Sequence, residues 1–218
     1  LLAPAEREAW REGLGLGAEG QGLDGSPGTQ PSSLSLSDVT DRATQTLKWV
    51  TEGNLGLLTI ALDHLTLSRA ALYASLLSGS EISDSASPSS HQSSEIEAAV
   101  SGLRRAGEAI WLTAGLLTRA WQRSLLGQTT GPDSAQSDLD EAWEIASRGP
   151  MRLFMADIHL YRARLFGRMK VEGGRMKDTE YPWESVEHDL GEARRLIEKH
   201  GYGRRTEELE DAEAALLG

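Results

Sequence analysis

Residues 135–166 read AQSDLDEAWEIASRGPMRLFMADIHLYRARLF, and this stretch decides the fold. Its first part repeats apolar residues at i, i+4 and i+7, which is the spacing of one helix face. Gly149 and Pro150 then end that helix, because glycine suits the position after a helix and proline cannot continue one. A second helical pattern follows at once, so the stretch predicts two helices joined by a tight turn.

The same ladder of small and large apolar residues occurs three times, each time with an alanine on an earlier helix. The sets are Ala70 with Ala99, Leu103 and Ala106; Ala120 with Ala135, Leu139 and Ala142; and Ala163 with Val186, Leu190 and Ala193. Repeated helical hairpins stack into solenoids, whose extended surfaces hold other molecules. Since no segment alternates like a strand, the prediction is an all-α fold: a short right-handed α-α superhelix of about three degenerate hairpins plus flanking helices.

Periodicity and capping residues together predict the bounds of the helices. The predicted helices are Pro4–Glu12, Val39–Thr51, Leu55–Leu77, Glu95–Glu108, Ile110–Leu126, Ala135–Arg148, Met151–Arg168, Trp183–His200 and Arg204–Leu217. Ser37 or Asp38 is a plausible N-cap for the second of these, and Asp133 or Ser134 for the sixth. The second helix is predicted to be a half-repeat, whose partner helix is absent or degenerate.

Composition changes along the chain predict three parts. Residues 1–37 combine a short helix with a glycine-rich linker, since glycine at this density does not hold a helix. Residues 38–201 form the repeat domain, with mobile insertions near 79–94 and 169–182. Residues 202–218 form an acidic capping helix.

The ladder resembles the tetratricopeptide repeat. Ala70, Ala120 and Ala163 match the small residue of the first helix in that family, and the sets on the second helices match its small–large–small pattern. Tyr73 and Phe166 match an aromatic position three residues later, and Arg123 departs from it. The resemblance covers roughly residues 38–201. It implies a superhelical scaffold that binds proteins or peptides.

Three strings are similar to C-terminal repeat regions of bacterial signalling ATPases of the STAND type, which carry an AAA or NACHT module. They are ALDHLTLSRAALY (61–73), DLDEAWEIASRGPMRLFMADIHLYRARLF (138–166) and EARRLIEKHGYGRR (192–205). This resemblance implies a sensor or regulatory role within a larger protein. The chain begins at Leu1 without an initiator methionine, and we expect it to be a piece of such a protein.

Charge and composition exclude several classes of partner. The 218 residues carry a formal net charge of −11, which argues against nonspecific nucleic-acid binding. The chain has no Cys and therefore no disulfide or thiolate site. Its longest apolar stretch, 55–77, is interrupted by Asp63, His64 and Arg69, so no membrane span is expected. We expect a cytoplasmic protein.

Sequence motifs for catalysis or cofactor binding are weak. Residues 15–20, GLGAEG, fit G-x-G-x-x-G, but a helical string precedes them where a dinucleotide site needs a strand. The chain contains no P-loop and no H-E-x-x-H motif, and its histidines are not spaced to share a metal. The sequence predicts no catalytic residue, no cofactor and no metal, and hence a protein that is not an enzyme.

The first helices of such hairpins normally line a concave face. The residues predicted there are His64, Leu67, Leu117, Trp121, Ser124, Asp157, Leu160 and Arg164. An alternative for Trp121, as for Trp111 and Trp143, is a place in the core. Equivalent repeat positions also predict a row of cations that could grip a carboxylate: Arg69, Arg119, Arg123 and Arg162. The alternative for this row is that each arginine pairs with an Asp or Glu of a neighbouring helix, such as Asp140, Glu141 or Glu144.

The function predicted from these patterns is a noncatalytic scaffold that binds a protein or a peptide, with no nucleic-acid or membrane partner. The bound segment could belong to other domains of the same polypeptide. The alternative is self-assembly, in which the exposed half-repeat at Val39–Val50 or the C-terminal helix packs on another copy of the chain and no groove ligand exists.

Overall fold

The computed structural model describes residues 2–16, 33–53, 56–78, 88–167 and 181–218, and gives only the backbone of residues 33–35 and 88–93. The α-helices in these residues are α1 (Leu2–Gly13), α2 (Ser33–Glu52), α3 (Leu57–Leu77), α4 (Pro88–Ala106), α5 (Ala109–Leu125), α6 (Ala135–Arg148), α7 (Arg152–Phe166), α8 (Val186–His200) and α9 (Thr206–Leu217). A short 3-10 helix, Gly203–Arg205, precedes α9, and the described ranges contain no strand.

The predicted all-α fold of packed helical hairpins is confirmed. Every residue of the three ladders is at most 6% exposed except Ala106, which is half-buried. Small residues at helix crossings therefore form much of the core, as their spacing predicts. The handedness of the superhelix stays a prediction.

The chain divides into two compact units, and the division falls within α5. Unit 1 is Leu1–Thr118 and unit 2 is Arg119–Gly218. The sequence analysis predicted no boundary inside a helix. The helix itself continues through the division, because residues 109–125 contain no proline and the one glycine among them, Gly115, does not interrupt the helix.

Unit 1 is built around α3, which packs against α1, α2 and α4. Helices α3 and α4 are antiparallel, since Ala61 lies beside Gly102 while His64 lies beside Glu95. A Cβ atom on Gly102 would stand 2.8 Å from the Ala61 Cβ, which is too close. Glycine at position 102 therefore sets the distance between these two helices.

The N-terminal helix α1 belongs to unit 1 by its packing. Ala5, Ala9 and Trp10 are buried on the helix, and α1 lies against α3. The sequence analysis set this helix apart with a linker and treated the first half-repeat as lacking a partner. Much of the predicted linker, residues 17–32, lies outside the described residues.

Two helices begin well before their predicted first residues. Helix α2 begins at Ser33 rather than Val39, and Leu36 extends a buried face that continues at Ala43 and Val50. Helix α4 begins at Pro88 rather than Glu95, which fits proline's tolerance in a first helical turn. Residues 88–94 are thus helical rather than part of a mobile insertion. The rest of that predicted insertion, 79–87, lies outside the described residues, as do residues 169–180 of the second.

Unit 2 consists of the end of α5 with α6 to α9, and its local sequence signals agree with its helix ends. Ser134 caps α6 by accepting a hydrogen bond from the Ser137 backbone, and Ser185 caps α8 in the same way from His188. Gly201 ends α8 with a φ of 66°, a left-handed conformation that favours glycine. Helix α7 packs against α6, α8 and α9.

We expect Ala120→Leu to destabilise the protein by about 1–3 kcal/mol, because a larger side chain in a close helix crossing forces the helices apart. Ala120 is fully buried. Urea melts followed by circular dichroism measure the change. Ala109→Leu is the matched control, since Ala109 begins the same helix and is exposed. Equal losses in both variants would contradict the repeat alignment.

Candidate functional site

Five of the eight residues predicted to line a partner-binding face are buried. They are Leu117, Trp121, Asp157, Leu160 and Arg164. The other three, His64, Leu67 and Ser124, are half-buried. None of the buried five exposes more than 6% of its surface, so their placement on an open face is corrected. Their role in partner binding stays a prediction.

Trp121 is buried within unit 2, where its side chain contacts α7. The Trp121 ring meets Tyr161 edge to face, with 6.2 Å between the ring centroids. Only 2% of Trp121 is exposed, so the core alternative describes this residue. Leu117, one helical turn earlier, is buried as well.

His64 connects the two helices of the first hairpin. Its Nδ1 lies 2.6 Å from Glu95 Oε2, and both side chains are about one-fifth exposed. The contact joins α3 to α4 near the start of the ladder. His64 is thus already engaged within unit 1.

The predicted arginine row binds groups of the chain itself. Arg69 donates from Nε to Thr118 Oγ1 at 2.9 Å and from Nη2 to the Ala114 carbonyl at 3.2 Å. Arg119 donates to both carboxylate oxygens of Asp138. Arg123 Nη1 lies 3.0 Å from Asp138 Oδ2. Arg119 and Arg123 thus pair with an acid of the chain, as in the alternative to the row, but the acid is Asp138 rather than one of the three named. Arg69 binds a hydroxyl and a backbone carbonyl.

Arg162 lies close to two tryptophan rings. Its guanidinium carbon stands 4.9 Å from the Trp143 ring centroid and 4.5 Å from that of Trp183. Asp140 lies 3.6 Å away and also accepts a hydrogen bond from Trp183 Nε1 at 2.8 Å. Burial lowers the pKa of Arg162, while the charge of Asp189 opposes that shift. Arg162 is 6% exposed, so it does not form an open anion site.

A buried polar network lies next to Arg162 and fixes the start of α8. Asp189, 1% exposed, accepts a hydrogen bond from the Tyr181 hydroxyl and lies 2.5 Å from His159 Nδ1. Burial, followed by the charge of Asp189, raises the pKa of Tyr181, so its hydroxyl remains protonated. The network ties α7 and residues 181–185 to α8.

The other predicted groove residues of unit 2 contact the C-terminal segment. Asp157 Oδ1 accepts from Arg205 Nε at 2.9 Å. Arg164 donates from Nη1 to Glu208 Oε2 at 3.2 Å and from Nη2 to the Glu208 carbonyl at 2.6 Å. Burial lowers the pKa of Arg164, and Glu208 supplies the largest opposing effect. Sequence reasoning missed Glu208 and Arg205, although Leu209, Ala212 and Leu216 repeat at helical spacing.

Large apolar side chains are exposed at one end of unit 1. Trp49 is 61% exposed near the end of α2, and Ile110 and Trp111 are 51% and 42% exposed in the first turn of α5. We call these three residues the tryptophan end.

Helix directions place these residues at the same end. Thr46 Oγ1 donates to Asp63 at 3.0 Å, which sets the last turns of α2 beside the first turns of α3. Since α3 and α4 are antiparallel and only two residues separate α4 from α5, α2 ends where α5 begins. From the sequence, the half-repeat of α2 was expected as a surface for self-assembly only. The exposure of Ile110 and Trp111 at the same end was not predicted, because Trp111 was a core candidate.

The described residues contain no group of three or more His, Asp or Glu side chains that could hold a metal ion. Within the same ranges, no helix has both the length and the hydropathy needed to cross a membrane. The G-x-G-x-x-G match at 15–20 follows helix α1, and its residues 17–20 lie outside the described ranges.

Comparison of the chain with protein-family models, with curated proteins and with solved structures finds no match.

Proposed function

We propose that this chain is a noncatalytic helical-repeat scaffold of the tetratricopeptide type that binds a protein or a peptide. We also propose that it is the sensor or regulatory part of a larger bacterial signalling protein of the STAND type, located in the cytoplasm. The buried ladders and the antiparallel hairpin α3–α4 support a repeat architecture. The net charge of −11 favours a protein partner over a nucleic acid.

The observation that carries this proposal is the tryptophan end. Exposed tryptophan is costly in water and is enriched among the residues that dominate protein interfaces. Trp49, 61% exposed, and Trp111, 42% exposed, lie with Ile110 at one end of unit 1. A grouped exposure of this kind marks an interaction surface better than scattered single residues do.

Replacing Trp49 and Trp111 together by alanine is expected to weaken partner binding about tenfold or more, because interface tryptophans are common hot spots. Stability should change by about 0.5 kcal/mol or less per site, as for other surface substitutions. The probe is a peptide selected from a random display library on the immobilised parent chain. Fluorescence anisotropy measures its affinity for each variant.

The matched control is Leu153→Ala, which removes a side chain of similar exposure from α7 in unit 2. The control should bind the selected peptide like the parent. If no peptide is enriched over an unrelated helical protein, the scaffold proposal fails. If the peptide binds both variants equally, the tryptophan end is not its site.

The same exposed end also favours the alternative function, self-assembly, because apolar ends of helical repeats pack on further copies unless capped. Light scattering over a range of concentrations separates the two. A monomer at all concentrations contradicts self-assembly. A dimer or larger species that Trp49→Ala dissociates contradicts the scaffold proposal at this surface.

A further inference from the structure

Helix α9 fills an apolar groove between α7 and α8. Leu209 and Ala212 of α9 are buried in one cluster with residues of both helices: Ala156, Leu160 and Ala163 of α7, and Leu190, Ala193 and Ile197 of α8. Leu216 packs against the same cluster, and a Cβ on Gly167 would stand 3.2 Å from its side chain. The groove is thus shaped to take one helix with small and large apolar residues on a single face.

Charges on the two sides of this contact are complementary. Arg164 of α7 holds the Glu208 side chain and carbonyl, and Arg194 of α8 donates from Nε to Glu213 at 3.1 Å. Helix α9 therefore contributes the acidic side chains of this contact, and α7 and α8 contribute the arginines. Arg164 is 4% exposed, and a buried cation needs an anionic neighbour to offset its desolvation.

We propose that the α7–α8 groove binds an acidic amphipathic helix of a partner protein, and that α9 is a tethered occupant that the partner displaces. The proposal deepens the proposed function and rests on it. The partner helix carries the side-chain pattern of α9. It has a glutamate that pairs with Arg164, and then, counted from that glutamate, a leucine one residue later, a small residue four later, a glutamate five later and a leucine eight later.

Several features of α9 suit a displaceable occupant. The helix has 12 residues, a length at which isolated helices are marginal in water. Five of these residues are acidic, which adds repulsion along the helix. Gly201 and Gly203 precede it, and glycine eases a change of backbone direction. A tether of this length keeps α9 at an effective concentration on the millimolar scale, so a partner must bind more tightly than α9 does alone.

The experiment uses the full chain and a fluorescein-labelled peptide of residues 206–217, TEELEDAEAALL. Leu209→Asp removes a buried contact of α9 and leaves the groove residues unchanged. Peptide affinity is expected to rise about tenfold or more over the parent in titrations to about 1 mM. Adding Arg164→Gln to Leu209→Asp should lower it again by about tenfold or more.

The matched control is Leu217→Asp, which adds the same charge to α9 at a position that is 49% exposed. This variant should bind the peptide like the parent. If Leu209→Asp keeps its helicity and melts cooperatively but binds no more peptide than the control, α9 is a cap and the proposal is overturned.

A second measurement covers the case in which Leu209→Asp fails to fold. Because the chain has no Cys, Leu217→Cys accepts a single fluorescent label. Excess unlabelled 206–217 peptide should free the label and lower its anisotropy, and a scrambled peptide should not. Unchanged anisotropy overturns the proposal. The label could instead become mobile as the protein concentration rises, together with a dimer in light scattering. That result would also overturn the proposal, because α9 would then exchange between copies of the chain.

The test separates this proposal from the proposed function. Library peptides that bind the chain without competing with the 206–217 peptide would leave the scaffold function standing and place it elsewhere. In that case the groove proposal fails alone.

Discussion

Trp121→Ala is expected to lower the free energy of unfolding by about 3–5 kcal/mol, the range for removing a buried large aromatic side chain. Trp121 is 2% exposed, and its ring packs edge to face on Tyr161. Alanine leaves a cavity between α5 and α7 and removes the aromatic pair. Urea denaturation followed by circular dichroism measures the loss.

Trp111→Ala is the matched control for this prediction, because it makes the same change on the same helix at a side chain that is 42% exposed. It should cost about 0.5 kcal/mol or less. Similar unfolding free energies for the two variants would contradict the core placement of Trp121. They would also return Trp121 to the set of accessible partner-binding residues.

Local sequence signals predicted most of the fold. Helix α6 has the predicted bounds, because Ser134 supplies its cap and Gly149 with Pro150 ends it. The start of α4 was predicted wrongly, because a serine-rich composition was taken to exclude a helix. Serine-rich residues 88–94 have the composition of a mobile insertion, yet they form the start of α4. The buried face of that helix begins at Ile96.

The site was less predictable, because exposure depends on contacts between distant parts of the chain. The repeat positions of Leu160 and Arg164 place them on one face of α7, and α9 covers that face some 45 residues later. Helix α9 was predicted as an acidic cap, and nothing in its local pattern indicates which residues of α7 it covers. In the same way, the positions of Arg119 and Arg123 predicted a row of cations. Both arginines instead contact the buried Asp138, which holds them toward the interior.

Asp138→Asn is expected to cost about 3–5 kcal/mol, the range for breaking a buried ion pair on one side. Asp138 is 2% exposed, and it lies 2.7 Å from Arg119 Nη2 and 3.0 Å from Arg123 Nη1. Asparagine keeps the shape of the side chain but removes its negative charge. Its NH₂ group, a hydrogen-bond donor, would then face the guanidinium groups of Arg119 and Arg123, which are donors as well. The substitution also removes an acid from the first turn of α6, where the helix dipole favours one.

Asp133→Asn separates this effect from a general loss of charge. Asp133 faces the same Arg123 at 3.9 Å, but its side chain is 94% exposed, and exposed ion pairs contribute little. Asparagine also tolerates the positive φ of 51° at this position. We therefore expect a change of about 0.5 kcal/mol or less in the unfolding free energy from urea melts. A loss for Asp138→Asn no larger than that would mean that the arginines are held by packing, and the row could then turn outward to a ligand.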